Sequence, residues 1–283
     1  MKQMMMSQIT AFEISLKENE RAQATITKYM RDVRFFYVWQ GEKALNKTEI
    51  LAYKAYLSKR YATTSVNSIL SSLNGFFAFC GWQDLQTKTI KTQNHMFATY
   101  ENFLTLGEYY RLLEEARNLR HPRLFLLLQT ICATGIRVSE VPCITIEAVR
   151  RGRAEVHNKG KVRYAFLPED LCTALEAYAA GEDIKKGPIF ITKNGKPIDR
   201  SNIWASMKRL CAKAGVDDKK VYPHNLRHLF ARTYYAAQKD IVRLADILGH
   251  SSVATTRIYT METGEIHQAQ IQHLGLVSKI QHN

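Results

Sequence analysis

The feature that most constrains the fold is the recurrence of apolar side chains at helical spacing. In the first helix, apolar residues recur at spacings of three and four positions and form one stripe: Ile26, Tyr29, Met30, Val33 and Phe36. A second helix is predicted over Ile50 to Leu57. A third is predicted from an N-cap near residues 64 and 65, Thr and Ser, to Cys80–Gly81. Residues 9–82 are therefore predicted to form a small helical domain.

A polar, patternless stretch follows from Gln83 to Glu101, as is typical of a linker between domains. We predict a helical domain over residues 1–83, a linker over 84–103 and a second domain over 104–283. The second domain is expected to begin with a helix near Thr105, where Glu108 completes a capping box. The next helix, Leu124 to Cys132, is nearly all apolar and is predicted to be buried.

The middle of the second domain changes from helical spacing to alternation. Residues 153–168 alternate around a basic glycine turn at 158–161, which predicts a β-hairpin with a charged tip. Residues 189–192 predict a further short strand before a turn at 193–196. Helical patterns then return from Ser201 to Gly215, from His224 to Gln238 and from Ile241 to Leu248. The predicted fold class is mainly α with a small β-sheet, in two domains.

The charge balance favours an anionic partner. The net charge is +14 and the pI is about 9.5, which suits nucleic acid, although a basic cytosolic protein with no such partner has the same balance. No apolar run reaches the ~18 residues that a membrane span needs, and the polar start does not resemble a signal peptide, so we expect a cytoplasmic protein without membrane contact. Five scattered cysteines without a Cys-x-x-Cys pair predict small core residues, neither disulfides nor a zinc site.

Five short motifs of the second domain occur in a particular order. They are Ala-Thr-Gly-Ile-Arg-Val-Ser-Glu-Val at 133–141, Lys159, His-Asn-Leu-Arg-His at 224–228, Leu-Gly-His-Ser at 248–251, and Tyr259. Lys159 follows Arg137 by 22 residues, and Tyr259 follows His250 by nine. With this order and spacing, residues 104–260 resemble the tyrosine recombinases of the phage integrase family. The helical region before the linker is similar in size and position to the family's SAM-like core-binding domain.

The residue types suit strand transfer at a phosphodiester. A tyrosine phenol, with a pKa of about 10, can form a covalent phosphate ester if its proton is removed, and the resemblance gives this role to Tyr259. Taken alone, Tyr259 is as well explained as a packed aromatic residue. Paired guanidiniums can meet the non-bridging oxygens in the transition state, which suits Arg137 and Arg227. His224 is predicted on the same helix face as Arg227, and His250 is predicted to offer a further donor.

The resemblance makes Lys159 the acid that protonates the leaving 5′ oxygen. The hairpin tip is one residue shorter than the common family pattern, so Lys161 is the alternative, and either lysine is otherwise a phosphate contact. Glu140 is predicted to support Arg137, and His228 to help position the site. No metal or other cofactor is expected, because arginines supply the positive charge.

The resemblance implies a site-specific recombinase or integrase of a mobile element or chromosome, acting on double-stranded DNA through a 3′-phosphotyrosine. It implies a clamp around the duplex, a monomer in solution, a homo-tetramer on two synapsed sites, and a bacterial, nucleoid-associated location. The tail after Tyr259 is expected to form a helix docked on a neighbouring protomer or in cis, through Ile271, Leu274, Leu276 and Val277. The alternatives are a type IB topoisomerase and a non-catalytic DNA-binding relative, which would usually lack Tyr259 or an arginine.

Overall fold

The computed structural model describes residues 2–41, 43–91, 103–158, 161–259 and 271–274. The chain divides into two compact units, residues 1–94 and residues 95–283, each with its own buried core. Among the described residues, no helix combines the length and the apolar character that spanning a bilayer requires.

The first unit contains four α-helices within its described residues. These are α1 (Met6–Glu18), α2 (Gln23–Gln40), α3 (Lys47–Ser58) and α4 (Thr63–Phe79). The stripe predicted for the first long helix is buried on α2, except for the half-buried Tyr29. The predicted N-cap of the third helix is wrong, because α4 begins at Thr63 after Ala62, whose side chain makes no cap hydrogen bond. The hydroxyls at positions 64 and 65 therefore fall inside the first helical turn.

The start of the predicted linker packs against the first unit. Residues 83–85 form a short 3-10 helix, and the side chain of Leu85 is buried in the core of that unit. The Asn74 side chain exchanges two hydrogen bonds with the backbone of Thr87, and the Asn67 side chain does the same with Ile90. Residues 92–102 lie outside the described part of the chain, so the linker over 84–103 stays a prediction.

The second unit contains eight α-helices within its described residues. They are α5 (Leu106–Asn118), α6 (Pro122–Thr134), α7 (Ile146–Arg150), α8 (Glu169–Gly181), α9 (Arg200–Ala214), α10 (Pro223–Gln238), α11 (Ile241–Leu248) and α12 (Val253–Thr256). The capping box between Thr105 and Glu108 is present at the start of α5, as predicted. Cys211 is buried, whereas the other four cysteines are only partly buried. The prediction that the cysteines are core residues therefore holds fully for Cys211 alone.

One antiparallel hairpin forms the small sheet. Strands β1 (Arg153–Asn158) and β2 (Lys161–Phe166) pair so that Arg153 lies opposite Phe166. The strand predicted at residues 189–192 is wrong, because that segment makes only the isolated bridge between Ile191 and Pro197, which closes the predicted turn. The hairpin's inner face carries Ala154, Val156 and Ala165, whereas its outer face exposes Val162, Tyr164 and Phe166.

A small second cluster of apolar residues lies beside the main core of this unit. Its buried members among the described residues are Ala231 of α10, Leu244 and Leu248 of α11, and Tyr259. Phe230, Tyr234 and Tyr235 pack against it while remaining partly exposed. This cluster places the end of α11 and the Tyr259 segment against α10.

Candidate active site

Three helices of the second unit end in glycines with left-handed backbone, and at two of these glycines another side chain packs closely. Gly135, after α6, has φ +63°, and Gly249, after α11, has φ +64°. A Cβ atom on Gly135 would lie 2.4 Å from Cδ1 of Phe230, and one on Gly249 would lie 2.3 Å from Cδ of Arg163. Both positions therefore need glycine for the backbone conformation and for the close approach of a side chain.

Arg227 lies on α10 between these two helix ends and is only 1% exposed. Its Nη1 donates to the carbonyl oxygen of Gly135, and its Nη2 donates to that of Leu248 at 2.7 Å. Nη2 also lies 3.1 Å from Nε2 of His250. The Nε atom is buried and has no hydrogen-bond partner among the described residues. Three of the five guanidinium N–H groups are thus engaged, which leaves Nε and one Nη1 hydrogen for a ligand.

Arg137 precedes a 3-10 helix, Val138–Cys143, rather than lying inside a helix with Glu140. Its Nη1 donates to Oε1 of Glu140 at 2.9 Å, and its backbone N–H donates to Oε2 at 2.7 Å. Nη2 approaches the carbonyl oxygen of Gly249 at 3.5 Å. The Arg137 side chain remains 29% exposed, so this guanidinium can reach an external anion more readily than that of Arg227.

His250 follows Gly249 and connects Arg227 to the Tyr259 segment. Its Nδ1 lies 2.8 Å from Oγ1 of Thr256. Because a guanidinium can only donate, Nε2 of His250 accepts from Arg227, which assigns the ring proton to Nδ1. Burial lowers the pKa of His250 to about 4, and the nearby Arg227 adds to the effect. In this conformation His250 is a neutral acceptor, whereas the sequence analysis predicted a donor.

Two further histidines lie on α10. His224 is exposed while Arg227 is buried, although the sequence placed both on one helix face. Although part of the His224 side chain is exposed, partial desolvation of its ring lowers the pKa, and the charges of Arg227 and Arg137 lower it further. The His228 ring packs edge-to-face on His224, with ring centroids 4.6 Å apart. Burial lowers the pKa of His228 to about 3, with a further contribution from His224.

Tyr259 ends a short 3-10 helix, Arg257–Tyr259, and is 5% exposed. Its ring lies edge-to-face with His228 at a centroid distance of 4.8 Å and is stacked with His250 at 6.0 Å. Tyr259 is therefore a packed aromatic residue whose ring neighbours are two histidines of the predicted motifs.

The hairpin contributes one residue that the sequence analysis did not single out. Lys159 lies outside the described residues, and Lys161 begins β2. Arg163, two positions further along, shares the inner face with Ala165 and donates to Oε2 of Glu140 at 2.6 Å. The sequence signal was an arginine in register with Val156, an inward apolar residue of the opposite strand.

The site carries a net positive charge. The guanidiniums of Arg137, Arg163 and Arg227 and the carboxylate of Glu140 sum to a charge of plus two, three minus one. Burial lowers the pKa of Arg227 to about 10 and also lowers that of Arg163, yet both remain protonated near neutral pH. Such a site can bind a phosphodiester and stabilise the additional negative charge of its transition state.

Comparisons with known proteins found matches to both parts of the chain. Residues 102–265 match the model of the phage integrase family, and residues 9–84 match that of the phage integrase N-terminal SAM-like domain. A tyrosine recombinase XerA from Thermococcus kodakarensis is 30% identical over 281 residues, which cover 96% of each chain.

Two solved structures are similar in fold. A lambda integrase dimer bound to a COC′ core site has a TM-score of 0.73 and 18% identity, and the match covers 99% of each chain. A lambda integrase tetramer bound to a Holliday junction has a TM-score of 0.71 and 19% identity, covering 89% of this chain and 76% of that one. The predicted fold class, mainly α with a small β-sheet, is confirmed.

Proposed function

The chain belongs to the phage integrase family of tyrosine recombinases, and from this premise we propose that Tyr259 forms a 3′-phosphotyrosine with a DNA strand. Its function is site-specific recombination. A type IB topoisomerase and a non-catalytic DNA-binding relative are not favoured, because the relatives are recombinases and the chain keeps Tyr259 and both motif arginines.

The observation that carries the proposal is a continuous set of contacts from Arg227 to Tyr259. Arg227 bonds to His250, and the His250 ring stacks on the ring of Tyr259. Arg137 approaches Gly249, the residue before His250. The motifs at 224–228 and 248–251 thus contact one tyrosine, and Arg137 of the motif at 133–141 approaches the residue before His250.

In the proposed reaction the Tyr259 oxygen attacks phosphorus, and its phenol proton passes to solvent water as the new P–O bond forms. The bond from phosphorus to the 5′ oxygen breaks, and that oxygen receives a proton from Lys159 or, as the alternative, Lys161. Arg137 and Arg227 stabilise the non-bridging oxygens. Rejoining reverses these steps with the 5′ hydroxyl of another strand, so the bond energy is kept and no water is consumed.

The partner in this proposal is double-stranded DNA containing a specific site. The positive charge of the site and the net charge of +14 suit a phosphate backbone. The lambda integrase relatives are dimers and tetramers bound to DNA, which supports a tetramer on two synapsed sites for this chain.

Tyr259→Phe tests the proposal on a nicked duplex that contains the inverted repeats from the DNA flanking the gene. Because only the nucleophilic oxygen is lost, we expect no covalent protein–DNA adduct while the dissociation constant for the duplex stays nearly unchanged. Tyr234→Phe is the matched control, since Tyr234 packs against the same cluster and should still form the adduct. An adduct that persists in Tyr259→Phe assigns the nucleophile to another residue.

A further inference from the structure

Arg163 of strand β2 is held by two separate parts of the catalytic unit. Its Nη1 donates to the carbonyl oxygen of Ile247 at 2.9 Å, near the end of α11. Its Nη2 donates to the carboxylate of Glu140 at 2.6 Å. The Arg163 side chain is 11% exposed, and both of its terminal nitrogens are engaged by these protein contacts.

Glu140 is shared between Arg163 and Arg137. Arg163 bonds to one carboxylate oxygen, and the Arg137 guanidinium bonds to the other at 2.9 Å. Glu140 is 5% exposed, so its charge is balanced by these two arginines rather than by water. Without the Arg163 bond the carboxylate is held by Arg137 alone, through its guanidinium and its backbone N–H, so strand β2 no longer fixes the position of the Glu140–Arg137 pair.

Arg163 also packs against the turn that carries His250. A Cβ atom on Gly249 would lie only 2.3 Å from the Cδ atom of Arg163, so the arginine stem packs directly on this glycine. The carbonyl oxygen of the same glycine is the atom that Nη2 of Arg137 approaches at 3.5 Å. One arginine stem therefore supports the turn, while its guanidinium fixes the carboxylate that orients the second arginine.

We propose that Arg163 is a positioning residue for strand cleavage, which orients Arg137 through Glu140 and supports the His250 turn through Gly249. This inference rests on the proposed function of the site. It predicts that Arg163 affects the rate of the chemical step more than the affinity for DNA, because it acts on the groups that meet the transition state.

Arg163→Lys is the first test, because lysine keeps the charge but a single amine cannot hold both Glu140 and Ile247. We expect formation of the covalent adduct in a single turnover to slow by about 10- to 100-fold, the order expected for a small displacement of a transition-state donor. The dissociation constant for the same duplex should change less than about threefold, since the residue is enclosed.

A neutral substrate separates positioning from a general structural role. In a methylphosphonate linkage one non-bridging oxygen at the scissile position is replaced by a methyl group, so the partner of one arginine is removed. On one diastereomer Arg137→Ala should cleave as fast as wild type, because the oxygen that Arg137 contacts is absent. On that same diastereomer Arg163→Lys should also cleave as fast as wild type. The ratio of rates on the two substrates is taken within one protein preparation, so it is independent of the folded fraction.

Gly249→Ala tests the contact with the arginine stem. Gly215→Ala is the matched control, because Gly215 also caps a helix with positive φ, at +59°, but an added Cβ meets nothing within 4 Å. We expect Gly249→Ala to slow adduct formation by at least about tenfold more than Gly215→Ala. In an Arg163→Ala background the added effect of Gly249→Ala should largely vanish, because the clash is gone.

The outcomes separate this inference from the proposed function. If wild type forms an adduct that Tyr259→Phe lacks, but Arg163→Lys cleaves like wild type, the positioning role is overturned and the proposed function stands. Equal slowing of Arg163→Lys on phosphate and on both methylphosphonate diastereomers also overturns it. Absence of an adduct with wild type overturns both.

Discussion

Nη2 of Arg227 donates to Nε2 of His250 across 3.1 Å, at a position where the arginine is 1% exposed. The arginine thereby sets the tautomer of the imidazole, whose proton lies on Nδ1 toward Thr256. A buried positive charge and a neutral histidine therefore act as one hydrogen-bonded unit beside Tyr259.

Arg227→Lys should reduce both stability and cleavage. A lysine amine cannot satisfy the carbonyls of Gly135 and Leu248 and also reach His250. We expect the free energy of unfolding to fall by about 2 kcal/mol or more, and adduct formation to slow by about 100-fold or more. Arg137→Lys should slow cleavage similarly but cost less stability, because Arg137 is 29% exposed. Urea unfolding measures the stability of each variant. If both variants lose the same free energy of unfolding, this assignment of roles is contradicted.

Thr256→Val should disturb the tautomer of His250 while keeping the β-branched shape of the side chain. Thr256 is fully buried, and its Oγ1 is the partner of Nδ1 of His250. Without it, a buried N–H loses its acceptor, and we expect cleavage to slow by about 10-fold and stability to fall by about 1 kcal/mol. Thr255→Val, at the exposed neighbouring position, is the control and should behave as wild type. Single-turnover adduct formation measures the difference. Identical rates for the two variants would show that the tautomer of His250 does not affect cleavage.

The stability of the catalytic unit should fall as the pH decreases below about 6.5, the ordinary histidine pKa. The pKa of His228 is about 3 and that of His250 about 4 in the folded protein. The unfolded chain therefore binds protons in this window before the folded chain does, and stability present above pH 6.5 is lost toward pH 4. Urea unfolding at pH 7 and pH 5 measures the loss.

His228→Phe removes one of these groups while keeping an aromatic ring beside Tyr259. Its unfolding free energy should depend less on pH, by on the order of 1 kcal/mol between pH 7 and pH 5. The exposed His121 provides the control variant, His121→Gln, which should keep the wild-type pH dependence. An unchanged pH dependence in His228→Phe would show that His228 does not contribute.

Lys159→Ala should be rescued when the leaving 5′ oxygen is replaced by sulfur. A thiol has a pKa of about 8.5, so the thiolate leaves without receiving a proton, and the variant should cleave this substrate at nearly the wild-type rate. Lys161→Ala is the comparison and should show no such rescue. Equal slowing of Lys159→Ala on both substrates would exclude it as the acid, whereas rescue of Lys161→Ala alone would give the role to Lys161.

Binding to duplex DNA should depend steeply on salt. If the protein neutralises about eight phosphates, the logarithm of the association constant should fall against the logarithm of salt concentration with a slope near −7. Fluorescence anisotropy with a labelled duplex across a salt series measures the slope. A slope shallower than about −2 would mean that the protein neutralises only about two phosphates, which contradicts a clamp around the duplex.

Most of the long helices could be predicted from the sequence because their apolar stripes are local, whereas α8 and the short helices α7 and α12 were not predicted. The cap at Thr105 and the hairpin were predicted for the same reason, since each depends on residues close together in the chain. The N-cap of α4 could not be placed in this way, because that helix begins after an alanine that offers no side-chain hydrogen bond.

The inner face of β2 could not be predicted. Alternation defines two faces but not which one is buried, and the apolar set Val162, Tyr164 and Phe166 is the exposed one. Arg163 faces inward because its guanidinium bonds to Glu140 and its stem packs on Gly249. These two residues lie 23 and 86 positions away in the chain, so local sequence could not indicate the contacts. The burial of Arg227 has the same origin, since its acceptors are carbonyls at the ends of two other helices.

Tyr259 is buried in the small cluster with Ala231, Leu244 and Leu248 rather than in the main core of its unit. Moving it out of this cluster exposes little more than one aromatic side chain, at a cost of roughly 1.5–3 kcal/mol. That cost corresponds to an undocked population of roughly one molecule in 13 to one in 160, reached by local opening rather than by unfolding of the unit. The nucleophile can therefore leave its resting position without unfolding of the whole domain.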